Sequence, residues 1–114
     1  MKFNILTLFP QMINDYLNYS ILKRACENNL ISANAINPRD FTTNKHKKVD
    51  DTVYGGAAGM LLQAQPFVDA LNSIENEENS QTIIMSPDGE TYNQKLAFEF
   101  SQLNSLNIIC GHYE

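Results

Sequence analysis

The sequence predicts an α/β fold, a mostly parallel sheet flanked by helices. Three observations carry that prediction. Short apolar, strand-forming runs alternate with stretches of helical periodicity along the chain. The first run, Phe3 to Phe9, is apolar almost without a break, as in a strand buried on both faces. Two later runs end in turn-like sequences, Ser86-Pro87-Asp88-Gly89 and Gly111-His112-Tyr113-Glu114, and folds of this class bind ligands beyond the carboxyl ends of their strands.

Taken in order, Pro10 is placed to open a helix after the first strand, because its missing N–H is no loss in a first turn. Ser20 is a candidate cap for a second helix, with Ile21, Leu22, Ala25 and Cys26 on one face. Leu30 to Ile36 reads as a strand closed by Asn37-Pro38. Arg39 to Thr52 is polar and charged without useful periodicity, and reads as a long surface loop. Tyr54 to Met60 is a glycine-rich turn. Pro66 then begins the clearest helix, with Phe67, Ala70, Leu71 and Ile74 in one apolar stripe. Glu75 to Ser80 reads as a solvated loop and Thr82 to Met85 as a strand. Asn93 is a candidate cap for a helix carrying Leu96, Ala97, Phe100 and Leu103. Leu106 to Cys110 is the last strand.

A chain of 114 residues, 43% hydrophobic and 18% charged, is one ordinary domain able to bury a core without disulfides or metals. Cys26 and Cys110 lie in apolar stretches, so buried free thiols and a reducing cytoplasm are expected. The amino terminus does not read as a signal peptide, since Pro10 and Gln11 break its apolar run. No stretch is long enough to span a bilayer. The net charge of -5 is unlike a typical nucleic-acid binder, but its distribution matters more. Four of the eight basic side chains are Arg39, Lys45, Lys47 and Lys48, while Asp69, Glu75, Glu77 and Glu78 gather elsewhere. A local basic segment can meet a phosphate backbone on an otherwise acidic protein.

Several chemistries are unsupported. Gly55, Gly56 and Gly59 match neither a dinucleotide-binding loop nor a P-loop, and a glycine cluster alone is more often a tight turn than a ligand cradle. His46 and His112 are isolated and no C-x-x-C occurs, so no metal site is expected. Nothing singles out a Ser-His-Asp or Cys-His set. His46 within the lysine run suits a solvated loop or a phosphate contact. Asp50 and Asp51 suit charge balance or acid–base work. Tyr113 suits a pocket wall or a covered sheet edge.

An ordered set of short motifs narrows the field. It comprises Leu8-Phe9-Pro10, Pro38-Arg39-Asp40-Phe41, His46 with Val49-Asp50-Asp51, Tyr54-Gly55-Gly56 with Gly59-Met60, Gln65-Pro66, Ser86-Pro87 with Gly89, and Cys110-Gly111 with Tyr113-Glu114. Each is weak alone; in order and spacing the set resembles the bacterial tRNA (guanine-N1)-methyltransferases of the knotted SPOUT superfamily, over essentially the whole chain.

The resemblance implies the first part, residues 1–114, of a SPOUT methyltransferase domain, without the trefoil-knot region and a C-terminal tRNA-binding domain. It implies a cytoplasmic homodimer that transfers a methyl group from S-adenosylmethionine to N1 of the guanosine 3′ of the anticodon of tRNA, a modification that protects the reading frame. Ser86, Pro87, Gly111, Tyr113 and Glu114 would then lie on the cofactor side, with Gly55, Gly56 and Gly59 in a loop near cofactor and target base. Arg39, Lys45, His46 and Asp50 would face tRNA. The general-base aspartate, its partner arginine and the knot loop that holds the adenine are expected beyond Glu114, so the chain alone is expected to be inactive. Two positions depart from the pattern: Ala57-Ala58 stand where Gly-Pro is usual, and His112 stands where Arg is usual. The competing readings are a non-catalytic RNA- or cofactor-binding α/β module and a generic α/β interaction domain.

Overall fold

The computed structural model describes residues 1–51, 59, 61–75 and 77–111. Four parallel strands form the main sheet in the order β2-β1-β6-β5. They are β1 (Lys2–Leu6), β2 (Ser32–Ile36), β5 (Ser80–Ile84) and β6 (Ser105–Ile109). A separate antiparallel pair joins β3 (Asp50–Asp51) to β4 (Leu61–Leu62). The helices are α1 (Pro10–Leu17), α2 (Ser20–Glu27), α3 (Ala64–Asn72) and α4 (Gln94–Ser101). The expected α/β class and parallel sheet are what the chain adopts.

Local chemistry explains most boundaries. Pro10 opens α1 as expected, and the Thr7 hydroxyl accepts the Phe9 N–H at 3.0 Å to fix the strand-to-helix corner. Asn93 caps α4 by accepting the Leu96 N–H at 3.0 Å. The expected Ser20 cap is not formed: Ser20 is the first residue of α2, at φ 51°, with no side-chain cap bond. Nor does Ile21 share the inward face, being 72% exposed while Leu22, Ala25 and Cys26 are half-buried. Helix α3 starts two residues before Pro66, which still falls in its first turn, where a proline breaks no hydrogen bond. The stretch expected to be a surface loop, Arg39 to Thr52, holds a 3₁₀ turn at Pro38–Phe41, a fully buried Val49 and strand β3 within its described residues.

The core lies on one face of the sheet, toward the carboxyl ends of the strands. Leu6, Leu8, Val49, Phe67 and Ala70 are buried there, with Ile36, Phe41, Leu62, Leu71, Ile74 and Ile109 packed around them. Burying each large aliphatic or aromatic side chain contributes roughly 1.5–3 kcal/mol, so this cluster is the main anchor of α3. Toward the amino ends the same face turns polar. Asn4 donates to Asn107 at 2.9 Å and, more weakly, to Ser105 at 3.5 Å, and Asn107 donates to Thr82 at 3.2 Å. At the outer end of that region Lys2 forms a 3.2 Å ion pair with Glu77.

This polar row makes a stability prediction. Asn107→Ala strips a buried amide of its acceptor and should lower the free energy of unfolding by about 1–3 kcal/mol in urea titrations. Ser105→Ala, which removes only the long contact, should cost less than about 1 kcal/mol. Equal midpoints for wild type and Asn107→Ala would show the row to be dispensable.

Candidate functional site

The strand order makes β1 the switch point: the chain runs to β2 on one side, then crosses to β5 and returns through α4 to β6 on the other. Crossovers of parallel strands are right-handed, so the two directions of travel put their helices on opposite faces and open a crevice at the carboxyl edge. Besides Asn37-Pro38 after β2, three chain segments leave the sheet there. Thr7-Leu8-Phe9 follows β1, Met85-Ser86-Pro87 follows β5 and Cys110-Gly111 follows β6.

Backbone hydrogen bonds hold these exits level. The Met85 N–H donates to the Ile109 carbonyl at 3.0 Å, the Cys110 N–H to the Leu6 carbonyl at 2.9 Å, and the Thr7 N–H to the Ile36 carbonyl at 2.9 Å. After Met85 the chain turns tightly: Ser86 accepts from the Asp88 N–H at its hydroxyl, 3.2 Å, and from the Gly89 N–H at its carbonyl, 3.3 Å. A side chain at Gly89 would bring its Cβ to 3.4 Å from the Ser86 carbonyl oxygen, so glycine suits this turn. Ser86, Pro87 and Gly111 are all exposed, beside the exposed apolar side chains of Ile84 and Met85.

Next to this edge, under α4, lies a cavity of about 630 Å³ lined chiefly by Phe3, Ile83, Leu96, Phe100, Leu106 and Ile108. Tyr92 stacks on Phe100 at 6.4 Å between ring centroids. Cys110 and Cys26 are free thiols, half-buried rather than fully buried. Burial raises the Cys110 pKa above its ordinary value of 9.0.

Of the residues singled out by sequence, Ser86, Pro87 and Gly111 come together on adjacent strand ends. Gly55, Gly56, Tyr113 and Glu114, with the departures at Ala57-Ala58 and His112, lie outside the described residues. Gly59 is exposed, at φ 142°, a conformation that side-chain-bearing residues rarely adopt. Lys45 and His46 are exposed on a turn that follows the 3₁₀ segment. Arg39 is half-buried and its guanidinium donates to the Lys47 carbonyl at 3.2 Å, while Asp50 begins β3 and its carbonyl accepts from Gln63 at 3.4 Å. Sequence reasoning missed Thr7 and Asn44, whose side chains bond to neighbouring backbone. The signal available was the ordinary preference of Thr and Asn for such turns. Among the described residues no cluster of three His, Cys, Asp or Glu could hold a metal ion, and no helix is long and apolar enough to cross a membrane.

Comparison with known proteins follows the same lines. The family model described as tRNA (Guanine-1)-methyltransferase TrmD matches residues 1–114. A tRNA (guanine-N(1)-)-methyltransferase of Carboxydothermus hydrogenoformans is 53% identical over 114 residues, which are all of this chain and 45% of that protein. A protein of the same name from Caldicellulosiruptor saccharolyticus is 52% identical, again over all of this chain and 46% of the relative. The crystal structure of tRNA (m1G37) methyltransferase from Aquifex aeolicus superposes with a TM-score of 0.87 at 37% identity, covering 100% of this chain and 52% of that one. The chain thus spans about half the length of the relatives it matches.

The Cys110 environment makes a pH prediction. A folded-state pKa raised above the unfolded value means that the native state holds its proton longer. The associated stability is intact below pH 9.0 and is lost as pH climbs through the raised value. Cys110→Ala should flatten that alkaline decline in denaturation curves recorded between about pH 8 and 11. A decline of unchanged steepness would assign it to other groups.

Proposed function

Because this chain belongs to the tRNA (guanine-1)-methyltransferase family, we propose that it supplies one wall of an S-adenosylmethionine-dependent site that methylates N1 of the guanosine 3′ of the anticodon. The observation that carries this reading is the level exit of β5 and β6 at the switch point, joined by the 3.0 Å bond from Met85 to Ile109. Ser86, Pro87, Gly111, Tyr113 and Glu114 are the cofactor-side residues. The family resemblance assigns Gly55, Gly56 and Gly59 to the neighbouring loop, and the segment that carries Arg39, Lys45, His46 and Asp50 is the one turned toward tRNA. The working enzyme is a cytoplasmic homodimer, and residues 1–114 contribute the first part of its SPOUT domain.

The described residues suit an adenosyl ligand as a partial wall. Ile84 and Met85 offer exposed apolar surface to a base or ribose, and the Ser86 hydroxyl accepts from Asp88 while keeping its own proton to donate. Gly111 leaves backbone accessible without a side chain in the way. S-adenosylmethionine supplies an already activated methyl group, so no protein nucleophile is needed. The part of this chain is to bind and orient. Guanine N1 carries a proton at neutral pH, so the reaction also needs a general base and stabilisation at O6. The family resemblance puts the aspartate and arginine for those tasks beyond Glu114.

The test joins residues 1–114 to the second half of the Carboxydothermus hydrogenoformans relative and supplies labelled S-adenosylmethionine and unmodified tRNA. N1-methylguanosine is the expected product, with none from the 114-residue chain alone. Gly59→Val, which forces a β-branched residue into φ 142°, should lower turnover at least ten-fold in a protein that still folds. A folded chimaera that makes no N1-methylguanosine would sink the reading.

A further inference from the structure

Residues 44–48 form a short turn that carries Lys45, His46, Lys47 and Lys48, all exposed. Mutual repulsion of three ammonium groups favours opening this turn, and Lys47 sits at φ 51°, in the left-handed region that side-chain-bearing residues avoid. The turn nevertheless closes, because the Asn44 side chain grips Lys48 twice. Asn44 Oδ1 accepts the Lys48 N–H at 2.7 Å, and Asn44 Nδ2 donates to the Lys48 carbonyl at 2.8 Å. The Asn44 carbonyl adds a bond from the Lys47 N–H at 3.2 Å, and Arg39 Nη1 reaches the Lys47 carbonyl at 3.2 Å. Both ends are anchored in the core, by Phe41 before the turn and by the fully buried Val49 directly after it.

We propose that Asn44 is a positioning residue for phosphate recognition, with Arg39 as its brace, and that their bonds hold Lys45, His46 and Lys48 in a fixed array for the tRNA backbone. This rests on the reading of the segment as tRNA-facing. An amide is uncharged and attracts no phosphate at long range, so its effect on binding passes through the shape of the turn. Presenting cations already ordered removes part of the entropy lost on binding. Arg39 spends a guanidinium donor on the Lys47 carbonyl, which makes it a strut for the turn.

The experiment measures amide hydrogen exchange in the protein and its affinity for unmodified tRNA over a range of salt concentrations. Asn44→Ala should speed exchange at Lys48 while leaving β1 protected, and should weaken tRNA binding about five-fold, the equivalent of one net hydrogen bond. Its salt dependence should match wild type, because every cation remains. Arg39→Gln does remove a cation, but that guanidinium is spent on the Lys47 carbonyl and not on a phosphate, so exchange at Lys48 should speed up and binding weaken in the same way, with the salt slope again unchanged. Lys45→Glu with Lys48→Glu should lower both the affinity and the salt slope. If that charge reversal weakens binding while Asn44→Ala binds as wild type, the positioning role is overturned and the tRNA-facing reading stands. A lower salt slope in Arg39→Gln would make Arg39 a phosphate contact and overturn its bracing role. If charge reversal changes nothing, the segment does not meet tRNA, and both ideas fall.

Discussion

Strand β1 is hydrogen-bonded on both sides, to β2 and to β6, and that double pairing governs the rest of the molecule. Because β1 is the first strand in the chain and yet lies inside the sheet, one run of neighbouring crossovers in a single direction cannot give it both partners. The chain must leave on one side and later cross the sheet to the other. The crossing from β2 to β5 carries the 3₁₀ turn, Val49 and α3, and these assemble the core over Leu6. The same reversal brings the ends of β1, β5 and β6 to one crevice. Core and candidate site are thus two results of one topological requirement.

Much of this was legible in the residues. Short apolar runs located every strand of the main sheet to within a few positions, helical periodicity and turn or cap residues located the helices, and Pro10 and Asn93 marked two helix starts by their backbone chemistry. The ordered motifs led to the family. What stayed hidden depends on contacts distant in sequence. Val49 sits among lysines and aspartates, so no local pattern shows that it is fully buried against α3. Strands β3 and β4 are two residues each, too short for any periodicity to register. Ser20 looked like a cap by residue type, yet Tyr19 occupies the cap position, and Ser20 begins α2 at a φ of 51° with no side-chain cap bond.

The polar segment before β3 shows how a loop can be exposed in its side chains and still be fixed in its path. Phe41 and Val49 belong to the core, Gln63 donates its N–H to the Val49 carbonyl at 2.7 Å, and only the side chains between them reach solvent. The molecule can therefore be acidic overall and still keep a basic face of defined shape. The crevice differs in kind: it is built from backbone bonds between strand ends, and its exposed groups are a hydroxyl, a glycine and apolar side chains.

The Asn4–Asn107 bond also acts as an alignment key. These two residues stand directly opposite in the β1–β6 pairing, among neighbours that are otherwise interchangeable aliphatics such as Ile5, Ile108 and Ile109. Hydrophobic contacts alone would tolerate sliding β6 along β1. Shifting by one residue would set Leu106 or Ile108 against the Asn4 amide, leave that amide without its partner and turn Asn107 to the other face. Shifting by two would keep the faces but place Ser105 or Ile109 where Asn107 belongs. One amide pair, by making misalignment expensive, fixes which residues of the last strand emerge at the crevice.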